Sequence, residues 1–310
     1  MNKQQATRLV KSLAREAGFL HVGISEATYI GDSYRRKLDA WLNAGRHGRM
    51  SYLENHKEKR LNPALLVPGA RSIISFAYNY YTTRKPLHRD APKVASYAYG
   101  KDYHYVIKDK LRQLLEALRE RIGPIEGRYF VDSAPVLERQ WAARSGLGWQ
   151  GKNTLLIHPK YGSYVFLAEL IVDLPLLADQ PIKDYCGRCR RCIDACPTGA
   201  IAQEGYLLDG SKCISYATIE LKHKHPIPDA FQGKMEQWVF GCDICQEVCP
   251  WNRFSTPHQE PAFHPQGDFL SWTTEDWYEM VKPTFKQQFK GTPVERAGFK
   301  GLRRNIVFLQ

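Results

Sequence analysis

All eight cysteines of the 310-residue chain lie between residues 186 and 249. The first four follow the spacing C-x2-C-x2-C-x3-C-P, the last three follow C-x2-C-x3-C-P, and one cysteine stands between the two motifs. Three cysteines of such a run wrap one cubane iron–sulfur cluster, and the fourth ligates the other cluster of a two-cluster ferredoxin. We therefore expect a bacterial ferredoxin-like module with two 4Fe-4S clusters and a role in electron transfer.

The same rule divides the eight thiols into two sets of four and leaves no thiol over. Structural zinc and a disulfide framework are the alternatives. Zinc sites usually separate their two cysteine pairs by about a dozen residues or more, whereas one run here holds four cysteines. Nothing in the chain indicates an oxidising compartment. The first set is Cys186, Cys189, Cys192 and Cys249, and the second is Cys196, Cys213, Cys242 and Cys245.

Length and composition predict one large core beside a small metal-held module, because 43% of the residues are hydrophobic. The chain has no apolar run of membrane-spanning length and no signal-peptide core, so we expect a cytoplasmic protein without membrane contact. The net charge is +12, and two clusters at about −2 each would still leave a basic protein. Its basic residues occur in short groups. Singly these suit a solvated surface, but together they suit a polyanion such as RNA.

Hydrophobic periodicity and cap residues predict alternating helices and strands before the cysteines, which indicates an α/β or α+β domain. The predicted domains are an α/β catalytic domain (1–178), a ferredoxin-like domain (179–262) and a C-terminal helical segment (263–310) where a helical-repeat domain would begin. Helices are predicted at 3–17, 34–43, 102–122, 135–145 and beyond 274, and strands at 19–24, 72–81, 94–99, 129–132, 154–157 and 164–172.

The first domain should contain a redox centre or a substrate site, because clusters relay electrons only one at a time. The glycine-rich stretch 146–151 follows a predicted helix rather than a strand. It therefore gives only weak support for a bound dinucleotide.

Four segments outside the cysteine module carry a resemblance to a known family: 100–104 (GKDYH), 131–139 (VDSAPVLER), 144–153 (RSGLGWQGKN) and 161–164 (YGSY). Together with the cysteine layout they resemble the epoxyqueuosine reductases, which are cobalamin- and iron–sulfur-dependent enzymes acting on tRNA. The resemblance runs from the N-terminal helix to about residue 305. In layout the chain is also similar to the reductive dehalogenases.

The resemblance implies that the protein reduces epoxyqueuosine to queuosine in the tRNA anticodon loop, the last step of queuosine biosynthesis. Two electrons and two protons remove the epoxide oxygen as water. Cobalamin is expected base-off between the first domain and the ferredoxin module, with one cluster close to it. The expected partners are the epoxyqueuosine-bearing tRNA and an external one-electron donor, and the protein is expected to be a monomer.

By the same resemblance, Asp132 is the proton donor. Burial beside a corrin would favour its protonated form, whereas the alternative is a helix cap, since Asp132 precedes a predicted helix. Tyr103 is expected to face the cobalt or the substrate, with aromatic packing as the alternative. His104 stands in a partial D-x-H-x-x-G cobalamin motif, but Ile107 replaces its glycine. His104 is therefore interpreted as a capping or surface residue.

The resemblance also implies contacts to the corrin and its nucleotide tail through basic, amide-bearing and apolar side chains. Each of these could equally be ordinary packing or surface charge. The positions are Arg60, Arg139, Lys152, Asn153, Leu156 and Leu167 in the first domain, and Ser215, Asp243 and Ile244 on the cluster side. The predicted contacts to tRNA phosphates are Lys222, His223, Lys224 and His225.

Two other functions remain open at this point. A cobalamin-dependent reductive dehalogenase of small molecules would share the electron path but would have no salt-sensitive affinity for RNA. A non-catalytic ferredoxin-type electron carrier would contain iron and sulfide but would not bind a corrin.

Overall fold

The helices and strands alternate along the first half of the computed structural model, which describes residues 1–310. The α-helices are α1 Lys3–Glu16, α2 Asp32–Asn43, α3 Lys57–Leu61, α4 Tyr103–Ile122, α5 Glu138–Arg144, α6 Arg191–Asp194, α7 Ile244–Glu247, α8 Thr274–Glu279, α9 Lys282–Phe289 and α10 Gly298–Val307. The strands are β1 His21–Glu26, β2 Ser72–Asn79, β3 Lys93–Val94, β4 Gly127–Phe130, β5 Trp149–Gln150, β6 Leu156–Ile157, β7 Val165–Val172 and β8 Trp238–Phe240.

Four strands form one antiparallel sheet in the order β1, β2, β7, β4. Strands β2 and β7 are central and almost wholly buried, which explains their continuous apolar sequences. The predicted mixture of helices and strands is confirmed. Because every neighbouring pair in this sheet is antiparallel, the arrangement is of the α+β kind.

Helices cover both faces of this sheet. On one face, α1 and α4 bury Val10, Ile107 and Leu111 against the strands. On the other face, the C-terminal end of α5 approaches β1 so closely that a Cβ atom on Gly23 would lie 2.2 Å from the Ser145 carbonyl oxygen. Glycine is therefore required at this contact, and it allows the end of α5 to pack directly on β1.

Most predicted elements are confirmed to within a few residues, but two predictions were wrong in ways that concern the site. Residues 94–99 are not a strand, because only Lys93–Val94 pair and Ser96–Ala98 form a 3-10 turn. The helix predicted from residue 135 begins only at Glu138. The residues before it form two tight turns instead.

The C-terminal part packs around a parallel pair formed by β3 and β8. The short segment 91–99 lies in one core with side chains of α8, α9 and α10, including Trp277, Phe289 and Leu302. Residues of the first domain thus contribute to the core of the last segment. None of the helices is long and apolar enough to cross a bilayer.

Candidate functional site

Four thiols line one small cavity in the C-terminal part, namely Cys186, Cys189, Cys192 and Cys249. Cys192 lies in α6, and Cys249 follows α7. Burial, followed by the nearby Cys186, Cys249 and Cys189, raises the pKa of Cys192 to about 11. These are the four thiols that the spacing predicts for the first cluster.

The other four thiols form a second group that lies deeper in the protein. Burial, followed by the proximity of Cys213, Cys192 and Cys196, raises the pKa of Cys245. Burial also raises the pKa of Cys242, whose thiol neighbours are Cys245 and Cys213. The second group thus contains the four remaining cysteines, and Cys192 of the first group lies beside it.

Backbone N–H groups point at the sulfur atoms of the second group. Burial raises the pKa of Cys213, while N–H groups of Ser215 and Tyr216 donate to its sulfur and lower that pKa in part. The Ile244 N–H donates to Cys242 in the same way. Such donors favour thiolates, the form that binds iron. No three Cys, His, Asp or Glu side chains converge closely enough to hold a single metal ion.

Asp132 lies in a strained turn directly after β4. Its φ is +55°, and the Ser133 N–H donates to the Val131 carbonyl at 2.6 Å. Together these features describe a γ-turn with positive φ, which is the rare and strained form. The Asp132 side chain is 51% exposed although protein atoms surround it on most sides, so it faces a cleft. It caps no N–H group of α5.

Two carboxylates hold the ring of His104. Its Nδ1 atom lies 2.7 Å from Oδ1 of Asp102, and its Nε2 atom lies 3.4 Å from Oδ2 of Asp132. Burial alone would lower the pKa of His104, but its hydrogen bonds to Asp102 and Asp132 raise the pKa to about 9. The interpretation of His104 as an ordinary capping or surface residue is therefore wrong, because it contacts the predicted acid.

Tyr103 completes the surroundings of the Asp132 carboxyl group. Its hydroxyl donates to Oδ2 of Asp132 at 3.1 Å, and its ring stacks on Phe166 at 4.1 Å. Burial would raise the pKa of Asp132, but hydrogen bonds from His104 and Tyr103 bring it below its ordinary value. The expected effect of burial on Asp132 is therefore outweighed by these two neighbours. The directions of the two pKa shifts favour a carboxylate at Asp132 beside an imidazolium at His104.

Two arginines from distant parts of the chain approach the same cleft. Arg296, just before α10, lies within electrostatic range of Asp132 and 3.4 Å from Glu220. Arg60 donates from one terminal nitrogen to the Tyr52 carbonyl, while its Nε atom is buried without a partner. Arg60 was predicted from the sequence, whereas no local motif marks Arg296.

Several of the predicted corrin contacts lie in α5, in β7 or in the segment that connects them. Arg139 donates to the Thr154 carbonyl at 2.8 Å, and Asn153 Nδ2 donates to the Cys245 carbonyl at 3.4 Å. The apolar members differ in exposure, since Leu156 is buried and Leu167 is only partly so. This loop therefore joins α5 to the second thiol group.

Lys152 and Asp243 are bound within the protein rather than free at the cleft. Lys152 Nζ donates to the carbonyls of Gly187 and Cys189 at 2.7 and 2.9 Å. Asp243 is buried and accepts from the Ser96 N–H at 2.8 Å. Lys152 thus fastens the loop of the first thiol group, and Asp243 fastens the segment after β3.

The basic loop at 222–225 is exposed at its first three residues. Arg304 of α10 donates to the carbonyls of Lys222 and His225 at 3.1 and 2.9 Å. Desolvation, followed by the positive charges of Arg49, Lys224 and Arg304, lowers the pKa of His225. Two basic groups that are far apart in sequence, around residues 49 and 224, therefore lie together on the surface.

A larger cavity of about 860 Å³ adjoins the first thiol group rather than Asp132. It is lined by Cys249, by the cations Lys85, Arg191 and Arg253, and by the carboxylates Asp194 and Glu247. Its wall is therefore of mixed charge.

The sequence profile described as epoxyqueuosine reductase QueG, DUF1730, matches residues 60–133, and that described as 4Fe-4S double cluster binding domain matches residues 185–252. An epoxyqueuosine reductase of Cyclobacterium marinum is 55% identical over 99% of this chain and 97% of its own length. A crystal structure of an epoxyqueuosine reductase with an epoxyqueuosine-modified tRNA-Tyr stem loop superposes with a TM-score of 0.86 at 32% identity, covering 99% of this chain and 81% of that one.

A catabolic reductive dehalogenase superposes with a TM-score of 0.52 at 17% identity, covering 98% of this chain and 38% of its own, and shares the fold alone. The similarity to the Cyclobacterium marinum enzyme extends over almost the whole of both chains, and the superposed reductase structure matches nearly every residue here. The chain therefore belongs to the epoxyqueuosine reductase family of oxidoreductases.

Proposed function

We propose that this protein reduces epoxyqueuosine to queuosine in the tRNA anticodon loop, the last step of queuosine biosynthesis. The reaction takes up two electrons and two protons, releases the epoxide oxygen as water and leaves an alkene. One observation carries the proposal. A member of this family contains two groups of four thiols together with an acidic site formed by Asp132, Tyr103 and His104. The similarity to a reductase solved with modified tRNA supports the same substrate.

The two thiol groups fit two 4Fe-4S clusters. All eight thiols are free, and burial disfavours the ionised forms of six of them. Thiolates in such surroundings need a compensating positive charge, which iron supplies. Cys186, Cys189, Cys192 and Cys249 would hold one cluster, and Cys196, Cys213, Cys242 and Cys245 the other.

The second cluster would be the one nearer to the acid. The ring of Tyr97 is within electrostatic range of both Asp132 and Asp243, and Asp243 is adjacent to Cys242 in the sequence. An external one-electron donor would reach the first cluster, beside which the cavity at Cys249 opens.

The cleft at Asp132 fits a cobalamin. The buried Nε atom of Arg60 has no partner in the protein and requires an acceptor, the exposed Arg139 suits an amide carbonyl or the tail phosphate, and Leu167 offers an apolar wall. When bound, cobalamin supplies the two-electron reducing centre that single clusters lack. The residues that would hold it are Arg60, Arg139, Asn153, Leu156, Leu167, Ser215 and Ile244. Lys152 and Asp243, which were also predicted as contacts, bind other parts of the protein instead.

The protein's own residues would deliver protons to the leaving oxygen. Negative charge develops on the epoxide oxygen and makes it a strong base. Asp132 is paired with the His104 imidazolium at 3.4 Å, so it would take the proton from Nε2 and then give it to that oxygen, and solvent would supply the second proton of the water released. Tyr103 keeps the carboxyl group oriented toward the cleft.

The tRNA would bind through phosphates to the basic loop 222–225 and the neighbouring Arg49. Each of the three proposed domains would then have its own role. Residues 1–178 would bind cobalamin and carry the acid, 179–262 would carry the clusters, and 263–310 would close the cleft with Arg296 and brace the basic loop with Arg304.

The reaction is tested by anaerobic incubation of the metallated protein with cobalamin, a reductant and epoxyqueuosine-bearing tRNA, followed by mass spectrometry of the nucleosides. A product lighter by one oxygen is expected. D132N should slow its formation by about 10² to 10⁴-fold, the usual contribution of a general acid. E120Q, at an exposed carboxylate on α4, serves as the matched control. Unchanged turnover by D132N would remove Asp132 from the acid role, and no product from the intact protein would refute the function.

A further inference from the structure

A buried carboxyl group without a donor lies in the middle of the central sheet. Glu169 is on β7, opposite Ser75 of β2 and Phe130 of β4, and its exposure is 0%. Neither of its carboxyl oxygens receives a hydrogen bond from an N–H or O–H group. A carboxylate buried in this way without partners would be very costly, so the group must be protonated or have an acidic hydrogen nearby.

The only hydrogen-bonding neighbour of Glu169 is a second carboxyl group. Glu138, the first residue of α5, extends toward the sheet, and the two side chains are in hydrogen-bonding contact. Two carboxyl groups in contact, one of them wholly buried, cannot both be ionised, so the pair retains a proton.

The surroundings indicate which member carries that proton. Burial, followed by the neighbouring Glu138, raises the pKa of Glu169 well above its ordinary value. Burial, followed by the charge of Asp132, also raises the pKa of Glu138, but Arg139 and the hydrogen bonds to Asp132 and Glu169 act in the opposite direction. No N–H group or positive charge opposes burial at Glu169 in the same way. Glu169 is therefore the member that holds the shared proton more strongly, and it donates this proton to Glu138.

The pair is connected to the reaction site through the backbone. Oε1 of Glu138 accepts a hydrogen bond from the Asp132 N–H at 2.6 Å. This N–H belongs to the strained turn with φ of +55°, and such a turn persists only where its surroundings fix it. The other bonds at the turn, from Ser133 to Val131 and from Lys108 to Ser133, involve the next residue.

We infer that Glu138 and Glu169 form a proton-sharing carboxyl pair that fixes the turn of Asp132, and that Glu138 is thereby a positioning residue for the acid. Glu138 touches neither the cleft reactants nor the clusters in this arrangement. It acts by holding the Asp132 N–H, so that the Asp132 carboxyl group stays within reach of Tyr103 and His104. This inference rests on the proposed function for the role of Asp132, but the pair itself does not.

Glutamine and leucine variants of Glu138 show whether it acts by accepting the Asp132 N–H or through its negative charge. In E138Q the amide oxygen still accepts the Asp132 N–H, so kcat should stay close to that of the intact protein. E138L has no acceptor, so kcat should fall by about 10²-fold, the effect of an ångström-scale misplacement of a catalytic group, with KM for the tRNA unchanged. E120Q again controls for the chemical change. Equal loss in E138Q and E138L, or no loss in E138L, would overturn the positioning role.

The shared proton has a signature that needs no substrate. The infrared spectrum of the metallated protein at neutral pH should show the C=O stretch of a protonated carboxyl group, shifted by deuterium exchange. E169Q should lack this band, because its amide N–H replaces the donated proton and Glu138 stays ionised. E120Q should retain it. A wild-type spectrum without the band would overturn the carboxyl pair even if a leucine variant failed to fold.

The activity measurements and the infrared spectra distinguish a failure of the carboxyl pair from a failure of the proposed reaction. If epoxyqueuosine were not reduced but the band were present and absent from E169Q, the pair would stand and the reaction would not. If the reaction proceeded but the band were missing or E138L were fully active, only the inference would fail.

Discussion

Asp132 is subject to two opposing influences. The protein atoms around it disfavour its charged form, whereas the hydrogen bonds from His104 and Tyr103 favour it, and the second influence prevails. In the proposed reaction the imidazole ring would hold the proton, with its Nε2 atom 3.4 Å from the carboxyl group that faces the cleft. The His104 ring stays protonated at neutral pH because Asp102 also pairs with its other nitrogen, Nδ1.

This arrangement predicts the pH dependence of the reaction. The pKa of His104 is raised from its ordinary 6.5 to about 9. The ion pair is therefore fully present below pH 6.5 and is lost as the pH rises through about 9. The rate of epoxide reduction should fall in that same window. Thermal stability should decline there too, since the charged ring is favoured only in the folded state.

Replacing the histidine tests the assignment. In H104Q, burial would dominate the pKa of Asp132, and the aspartate would become the titrating acid. We expect the alkaline fall of the rate to move to lower pH and the rate at pH 8 to drop roughly tenfold or more. A pH–rate profile of both proteins under a chemical reductant measures this. An alkaline limb at the same pH in H104Q would exclude His104 as the proton store.

At the scale of elements, local sequence patterns predicted the helices and strands that local interactions determine. The stripe of Ile107, Leu111 and Leu118 predicted α4, and its Asp102 cap is confirmed. The apolar runs predicted β2 and β7. The sequence did not reveal that Glu138 starts α5 late or that Glu169 lies beneath it. Those features depend on contacts between segments distant in sequence, which leave no periodic signal.

The exchange of cysteines between the two motifs is also an element-scale prediction. The α6 loop and the end of α7 should share one cluster, because Cys249 lines the cavity of Cys186. C186A/C249A should then retain about half of the iron, whereas C186A/C242A should lose nearly all of it. Iron and sulfide analysis of anaerobically purified proteins gives the result. Equal iron content in the two double variants would show that the sets are assigned wrongly.

At the scale of the whole molecule, the cleft is assembled from distant parts of the chain. The turn after β4 supplies Asp132, the π-helix Tyr216–Glu220 supplies Glu220, and the segment before α10 supplies Arg296. The last segment is not an appendage, since its helices share a core with residues 91–99. Arg304 of α10 also fixes the basic loop by donating to its carbonyls. The acid site and the proposed RNA surface are therefore built on a common C-terminal support.

This common support allows the RNA surface to be tested without disturbing the chemistry. In K222Q/K224Q the exposed charges are removed while the carbonyl contacts of Arg304 remain. The dependence of log affinity on log salt concentration should become shallower by roughly one to two units, since each phosphate contact contributes about 0.7 to 0.9. At saturating tRNA, kcat should be unchanged because the loop contacts no residue of the acid site. K3Q, at an exposed lysine of α1, is the charge-matched control for a single site. Binding of epoxyqueuosine-bearing tRNA, measured by filter retention across a salt series, decides the matter: a slope equal to that of the intact protein would place the phosphate contacts elsewhere on the surface.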